Sequence, residues 1–178
     1  MKSWFPLVLS LVTAIRCHAD PLQVILLRHG EKPEGKKDPH LTAAGRDRAG
    51  HWGEVLGTCD PRPQVLLAPE PSAEHPSVRP IETLQPLADR LKLRIETPVR
   101  SDAHESLAKS VRTDARFAGK AVVICWVHQS LPQLARELGA TNAPSEWSAE
   151  NYGTAWILKY ATNGSCAFTP WVEKAPLK

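Results

Sequence analysis

Beyond its first nineteen residues the chain has no long apolar run, no basic run or stripe, no CxxC or HExxH spacing, no internal repeat and no low-complexity segment. Each absence removes a class of function. Without a basic stripe, nothing argues for nucleic acid or an anionic membrane surface as partner. Without clustered Cys and His ligands, a metal site has little support. Without a linker, the 178 residues read as one domain with enough chain for a real core.

The first nineteen residues differ in kind. Met1-Lys2 is a short positive start, residues 4–15 are mostly apolar, and Cys17-His18-Ala19 offers small residues at the two positions a signal peptidase reads. This pattern predicts a secretory signal peptide over residues 1–19, cleaved after Ala19, and a mature domain over residues 20–178. The apolar run is well short of the ~20 residues a membrane span needs, so no stable anchor is expected after cleavage. Arg16 argues against a lipid-modified Cys17. Cleavage removes Lys2 and Arg16 and no acid, so the net charge of +3 falls close to neutrality. The predicted address is periplasmic or extracellular.

The mature chain keeps Cys59, Cys125 and Cys166. Export implies an oxidising compartment in which a disulfide can persist. Cys125 lies in a core strand and reads as a small buried hydrophobe. Cys59 and Cys166 lie in turn-rich stretches, and a disulfide between them is expected, with three free thiols as the alternative.

What is present starts at Val24-Ile25-Leu26-Leu27-Arg28-His29-Gly30. A short apolar run stopped by glycine reads as a buried strand. Residues 121–127 form a second such run, ending at His128, and a helical pattern over 131–138 follows, closed by Gly139. If both strands lie parallel in one sheet, Arg28, His29 and His128 meet at its carboxyl edge, where α/β proteins bind ligands.

Between these runs the pattern predicts a helix from N-cap Thr42 to about Leu56 and a strand over 64–68. An irregular proline-rich stretch over 69–76 follows. Next comes a helix from Pro80 to Leu91, kinked or interrupted at Pro86. A short edge strand over 93–95 and a helix from Glu105 to Arg112 complete the middle of the chain. Residues 152–160 and 167–172 read as a hairpin turning at Asn163-Gly164. The expected architecture is three-layer α/β/α, with a mostly parallel central sheet and an antiparallel C-terminal edge.

Two imidazoles and two arginines at one edge would suit an oxyanion. Arginine's planar fork grips phosphate oxygens and keeps its charge. Arg79, after the second strand and beside a helix start, can face the same rim. A neutral imidazole is a nucleophile near pH 7, and a protonated one can donate to phosphoryl oxygens. A lone His or Arg at a strand end is ordinarily solvated, and His40, His51 and His75 read that way.

Four stretches in order carry a family resemblance. Leu27-Arg28-His29-Gly30-Glu31-Lys32 resembles the Arg-His-Gly signature of the histidine phosphatase superfamily, also called phosphoglycerate mutase-like. Residues 41–49 resemble the Leu-Thr-x-x-Gly-x-x-Arg/Gln-Ala that follows it, Arg79-Pro80-Ile81-Glu82-Thr83 its Arg-x-x-Gln-Thr, and residues 126–132 its second-histidine motif. The resemblance implies that His29 becomes phosphohistidine, that Arg28 and Arg79 hold phosphoryl oxygens, and that His128 is the second pocket histidine. It implies no metal or other cofactor and a small phosphorylated substrate.

The departures are specific. A long proline-rich stretch replaces the family's Ser-x-x-x-Arg before Arg79, and Val127 replaces glycine before His128. Gln129 stands where acid phosphatases have Asp, and the chain has no room for their cap domain. The family's general acid has no clear counterpart. Glu105 is the first candidate, with Asp102 and His104 as competitors. A leaving group of low pKa would reduce the need for an acid. The expectation is an exported phosphomonoesterase, possible substrates including an envelope sugar phosphate such as lipopolysaccharide heptose phosphate. The alternative is a non-catalytic phosphate-binding module with a degenerate phosphatase pocket.

Overall fold

The buried strands form as their apolar runs require. In a computed structural model describing residues 20–35 and 38–172, β1 (Gln23–Arg28) and β4 (Ala121–Trp126) are buried along their whole length. Parallel strands covered on both faces need near-continuous apolar sequence, which both runs supply. β1 and β4 pair in parallel, Gln23 opposite Ala121 and Arg28 opposite Trp126. The signal-peptide reading concerns residues 1–19, which lie outside the described residues.

β2 (Val65–Leu67), β3 (Ile95–Glu96), β5 (Thr154–Tyr160) and β6 (Cys166–Val172) complete a six-stranded sheet of order β3-β2-β4-β1-β5-β6. The first four strands are parallel, and β5 and β6 are antiparallel. α1 (Ala43–Gly57) and α2 (Arg79–Leu91) cover one face, where Ile25, Leu27, Leu66 and Val123 meet Trp52, Leu84 and Leu87. α3 (His104–Thr113) and α4 (Leu131–Glu137) cover the other, where Val24, Leu26 and Ile124 meet Leu107, Val111 and Leu134. Alternate residues of each strand thus serve opposite cores. Each fully buried Leu or Ile contributes roughly 1.5–3 kcal/mol relative to exposure. This is the expected α/β/α arrangement with its antiparallel edge. No helix among the described residues is long and apolar enough to cross a membrane.

Of the differences between the sequence expectations and the structure, four bear on packing or on the site. α2 continues through Pro86 without interruption. Pro86 packs against Gly53 of α1, where an added Cβ would stand 2.9 Å from the proline Cβ, so tertiary packing offsets the missing amide. β5 begins at Thr154, leaving Tyr152 in the preceding loop. A 3-10 turn at Ala115–Phe117, unpredicted, buries Phe117 completely.

The Cys59–Cys166 disulfide is the fourth correction, since both cysteines are free. Cys59 packs on the α1/α2 side of the sheet and Cys166 on the α3/α4 side. Turn-rich surroundings gave no information about which face each thiol would meet, and a disulfide cannot span a sheet.

α1 is set tightly against the end of β1. Thr42 caps it, its Oγ accepting from Gly45 N at 3.0 Å, and Thr42 N donates to Glu31 O at 3.0 Å. Gly30 and Gly45 make this approach possible. A Cβ on Gly45 would lie 2.5 Å from Glu31 O and 2.9 Å from Glu31 N, backbone atoms that cannot swing aside. Gly50, in the same helix, has nothing within 4 Å of its would-be Cβ. Gly45→Ala is therefore expected to cost about 1–3 kcal/mol in urea unfolding. Gly50→Ala is expected to gain roughly 0.5–1 kcal/mol through helix propensity. Equal effects at the two positions would show that the close approach is not a constraint.

Candidate active site

Arg28 ends β1, His29 follows it, and His128 stands two residues beyond the end of neighbouring β4. The turn after β1 is stitched to α2 by one hydroxyl: Gly30 N donates to Thr83 Oγ at 2.9 Å, and Thr83 Oγ donates to Arg79 O at 2.8 Å. Thr83 is buried, and it ties the first turn of α2, with Arg79, to the histidine-bearing turn. Arg79 donates from Nε to His40 O at 3.0 Å and from a terminal nitrogen to Asp38 O. Glu82 holds that same segment, accepting from Leu41 N at 2.8 Å and from His40 Nδ1 at 2.5 Å.

His29 is 5% exposed, and its Nδ1 lies 2.8 Å from Gly30 O. A carbonyl can only accept, so Nδ1 carries the proton and Nε2 keeps its lone pair. Burial pushes the His29 pKa down to about 4, aided by the charges of Arg28, Arg79 and His128, while the bond to the Gly30 carbonyl works the other way. His128 is pushed to about 4 by burial, then by Arg28 and Lys32. Both imidazoles are therefore neutral near pH 7, the form a nucleophile needs. A phosphoryl dianion beside them would counter the Arg and Lys charges and favour a proton on His128.

Arg28 is 2% exposed and held from one side by the loop before β5. One terminal nitrogen donates to Ser148 O at 3.3 Å and to Ala149 O, the other to Tyr152 Oη at 3.1 Å. The guanidinium carbon also lies 3.9 Å from the centre of the Tyr152 ring. Arg28 Nε and His128 Nδ1 are both buried without a hydrogen-bond partner among the described residues. Such groups are costly unless something binds them. Reading residues 152–160 as a strand concealed Tyr152: the strand starts two residues later, at Thr154, which leaves Tyr152 free to meet Arg28.

The three candidate acids stand at the start of α3 or just before it. Glu105 is exposed in the first turn of α3. Asp102 is exposed and bonded to Arg100 at 2.9 Å. His104 Nδ1 faces Glu137 at 2.8 Å, on α4. None of the three is among the largest influences on the His29 and His128 pKa values. A cleft of about 180 Å³ runs from Arg79 and Val127, and the carboxylates in its wall are Glu70 and Glu74. Glu70 follows the second predicted strand by two residues, on the carboxyl edge, which is the signal that could have found it. Lys32, whose charge reaches His128, was readable only as a loop residue.

No protein-family model matches the chain, and no curated protein matches it. Solved structures share its fold. A mycobacterial hydrolase 1 superposes with a TM-score of 0.61 at 17% identity, covering 86% of this chain and 99% of that one. A mycobacterial glucosyl-3-phosphoglycerate phosphatase in complex with inorganic phosphate gives 0.56 at 18% identity, covering 86% and 97%. The protein histidine phosphatase SixA complexed with tungstate gives 0.55 at 16% identity, covering 84% and 96%. The chain thus has the fold of the histidine phosphatases that its motifs resemble.

The depressed pKa of His29 has a stability consequence. In the unfolded chain the imidazole titrates near 6.5, and in the folded protein near 4. The unfolded state therefore binds more protons between these values, and stability falls as pH drops from about 6.5 to about 4. The contribution lost is roughly 3 kcal/mol. His29→Asn is expected to flatten that part of the curve in urea midpoints measured from pH 4 to 7. An unchanged slope would show that His29 is not buried as the neutral form.

Proposed function

We propose that the protein is a phosphatase that hydrolyses phosphomonoesters through a phosphohistidine on His29. One observation carries this reading: the Gly30 carbonyl fixes the proton on His29 Nδ1, beside a buried donor, Arg28 Nε, and a buried ring nitrogen, His128 Nδ1, neither with a hydrogen-bond partner among the described residues. That combination leaves a lone pair at Nε2 and polar groups suited to phosphoryl oxygens. The solved structures named above lend support, since two are phosphatases, one in complex with inorganic phosphate and one with tungstate.

The chemistry follows from the arrangement. Nε2 of His29 attacks phosphorus as the ester P–O bond breaks, and the leaving oxygen departs with a proton. Arg28 Nε, Arg79 and His128 meet the phosphoryl oxygens as their charge redistributes. Water then attacks the phosphohistidine, the P–N bond breaks, and inorganic phosphate leaves with His29 neutral again. Glu105, Asp102 and His104 are the candidates for that proton; a leaving group of low pKa, or a proton from water, would serve without one. The exposure of Glu105 and Asp102 favours a second reading, a phosphate-binding module without turnover.

The leader-like residues 1–19 motivate a periplasmic or secreted location, with an envelope sugar phosphate, such as a heptose phosphate of lipopolysaccharide, as substrate. Expressed with its leader in a bacterial host, the protein is expected in the periplasmic fraction with Asp20 as its first residue; cytoplasmic protein starting at Met1 would refute export.

Turnover is tested with the mature protein and an aryl phosphate, quenched in alkali, where phosphohistidine survives. Intact mass is expected to show one added phosphoryl group, mapping to His29. His29→Ala is expected to lose that adduct and at least 10³-fold in rate, a nucleophile's contribution on the scale of triad members. Phosphate binding by calorimetry with no turnover would establish the binding module instead.

A further inference from the structure

The cleft beside Arg79 selects what the phosphoryl group is attached to. Resting on the phosphatase reading above, we infer that it is a leaving-group subsite that takes a neutral or amine-bearing group and rejects one carrying a carboxylate. It begins at Arg79 and at Val127, the neighbour of His128, and so adjoins the phosphoryl-binding end. Pro39, Pro69, Pro76 and Pro80 stand in its wall. Fixed proline backbones make the wall stiff before any substrate arrives.

The wall's charge is negative. Glu70 is exposed and has no ion pair among the described residues. Glu74 lies 3.7 Å from Arg100, but Arg100 also serves Asp102 at 2.9 Å. With Arg79 taken by the phosphoryl group, the remaining charged side chains of the wall are Glu70, Glu74 and His75, and counting His75 as a cation still leaves the acids in excess. Arg79 is held at the other end by the Asp38 and His40 carbonyls. Ser77 provides a separate indication of a ligand, since it stands in the wall and its Oγ is buried with no hydrogen-bond partner among the described residues. A hydroxyl or ammonium group on the leaving group could bond both to that oxygen and to the carboxylates. With Arg79 taken by the phosphoryl group, a second anionic group would meet the two carboxylates at a net cost.

The test compares O-phosphoethanolamine with 3-phosphoglycerate, using aryl phosphate turnover to report whether the chemistry is intact. For the full mature protein, kcat/KM is expected to favour phosphoethanolamine by roughly tenfold or more, as expected for one like-charge contact at a partly exposed site. The preference is expected to shrink with added salt. Glu70→Gln with Glu74→Gln is expected to bring the two substrates within about threefold. If aryl phosphate is turned over but 3-phosphoglycerate is used as well as phosphoethanolamine, the subsite is overturned; so it is if the double variant keeps the preference. If no ester is turned over, the phosphatase reading fails separately, and calorimetry with the same two ligands decides the cleft. Tighter phosphoethanolamine binding, lost in the double variant, upholds the charge selection; equal or reversed affinities overturn it.

Discussion

Parallel pairing of β1 with β4 is the constraint on which the rest depends. The register that sets Arg28 opposite Trp126 brings the ends of two distant strands to one edge, and His29 and His128 leave the sheet there together. The pairing is sustained by burial on both faces, since neither strand could expose its apolar side chains without losing much of the core. Everything chemical about the molecule is attached to that edge by short polar links. Thr83 bridges Gly30 to Arg79, Thr42 bridges α1 to Glu31, and Tyr152 reaches down from the loop before β5 to Arg28.

These links divide the work between the cations. Arg28 is buried, and its terminal nitrogens serve the Ser148–Tyr152 loop, leaving Nε for a ligand. Arg79 is tethered by backbone carbonyls at the rim. Desolvation and these two charges work together on His29, so the environment that would attract a phosphoryl group also keeps the imidazole unprotonated. The proline-rich stretch before Arg79 forms part of the wall of the adjoining cleft.

The sheet was legible because its strands are apolar runs whose limits are marked by Gly, Pro and charge. The α1 cap at Thr42 and the stop at Gly139 were legible because capping and positive-φ chemistry are local; Gly139 has φ of 103°. Arg28, His29, Arg79 and His128 were legible because their motifs lie at strand ends and a helix start. Glu105 stands exposed in the first turn of α3, and helical periodicity alone does not name a general acid.

The sequence by itself determined the alternation of strands and helices, the terminal hairpin and the four residues of the edge, because periodicity and turn chemistry are properties of neighbours. Only the tertiary structure decided that Cys59 and Cys166 lie on opposite faces, that Pro86 could sit inside a helix against Gly53, that Tyr152 belongs to Arg28, and that Glu70 and Glu74 rather than Glu105 line the cleft. The physical reason is common to all of these. Each depends on which surface of one element meets another, and that is set by packing across the sheet, between residues whose separation along the chain carries no record of their contact.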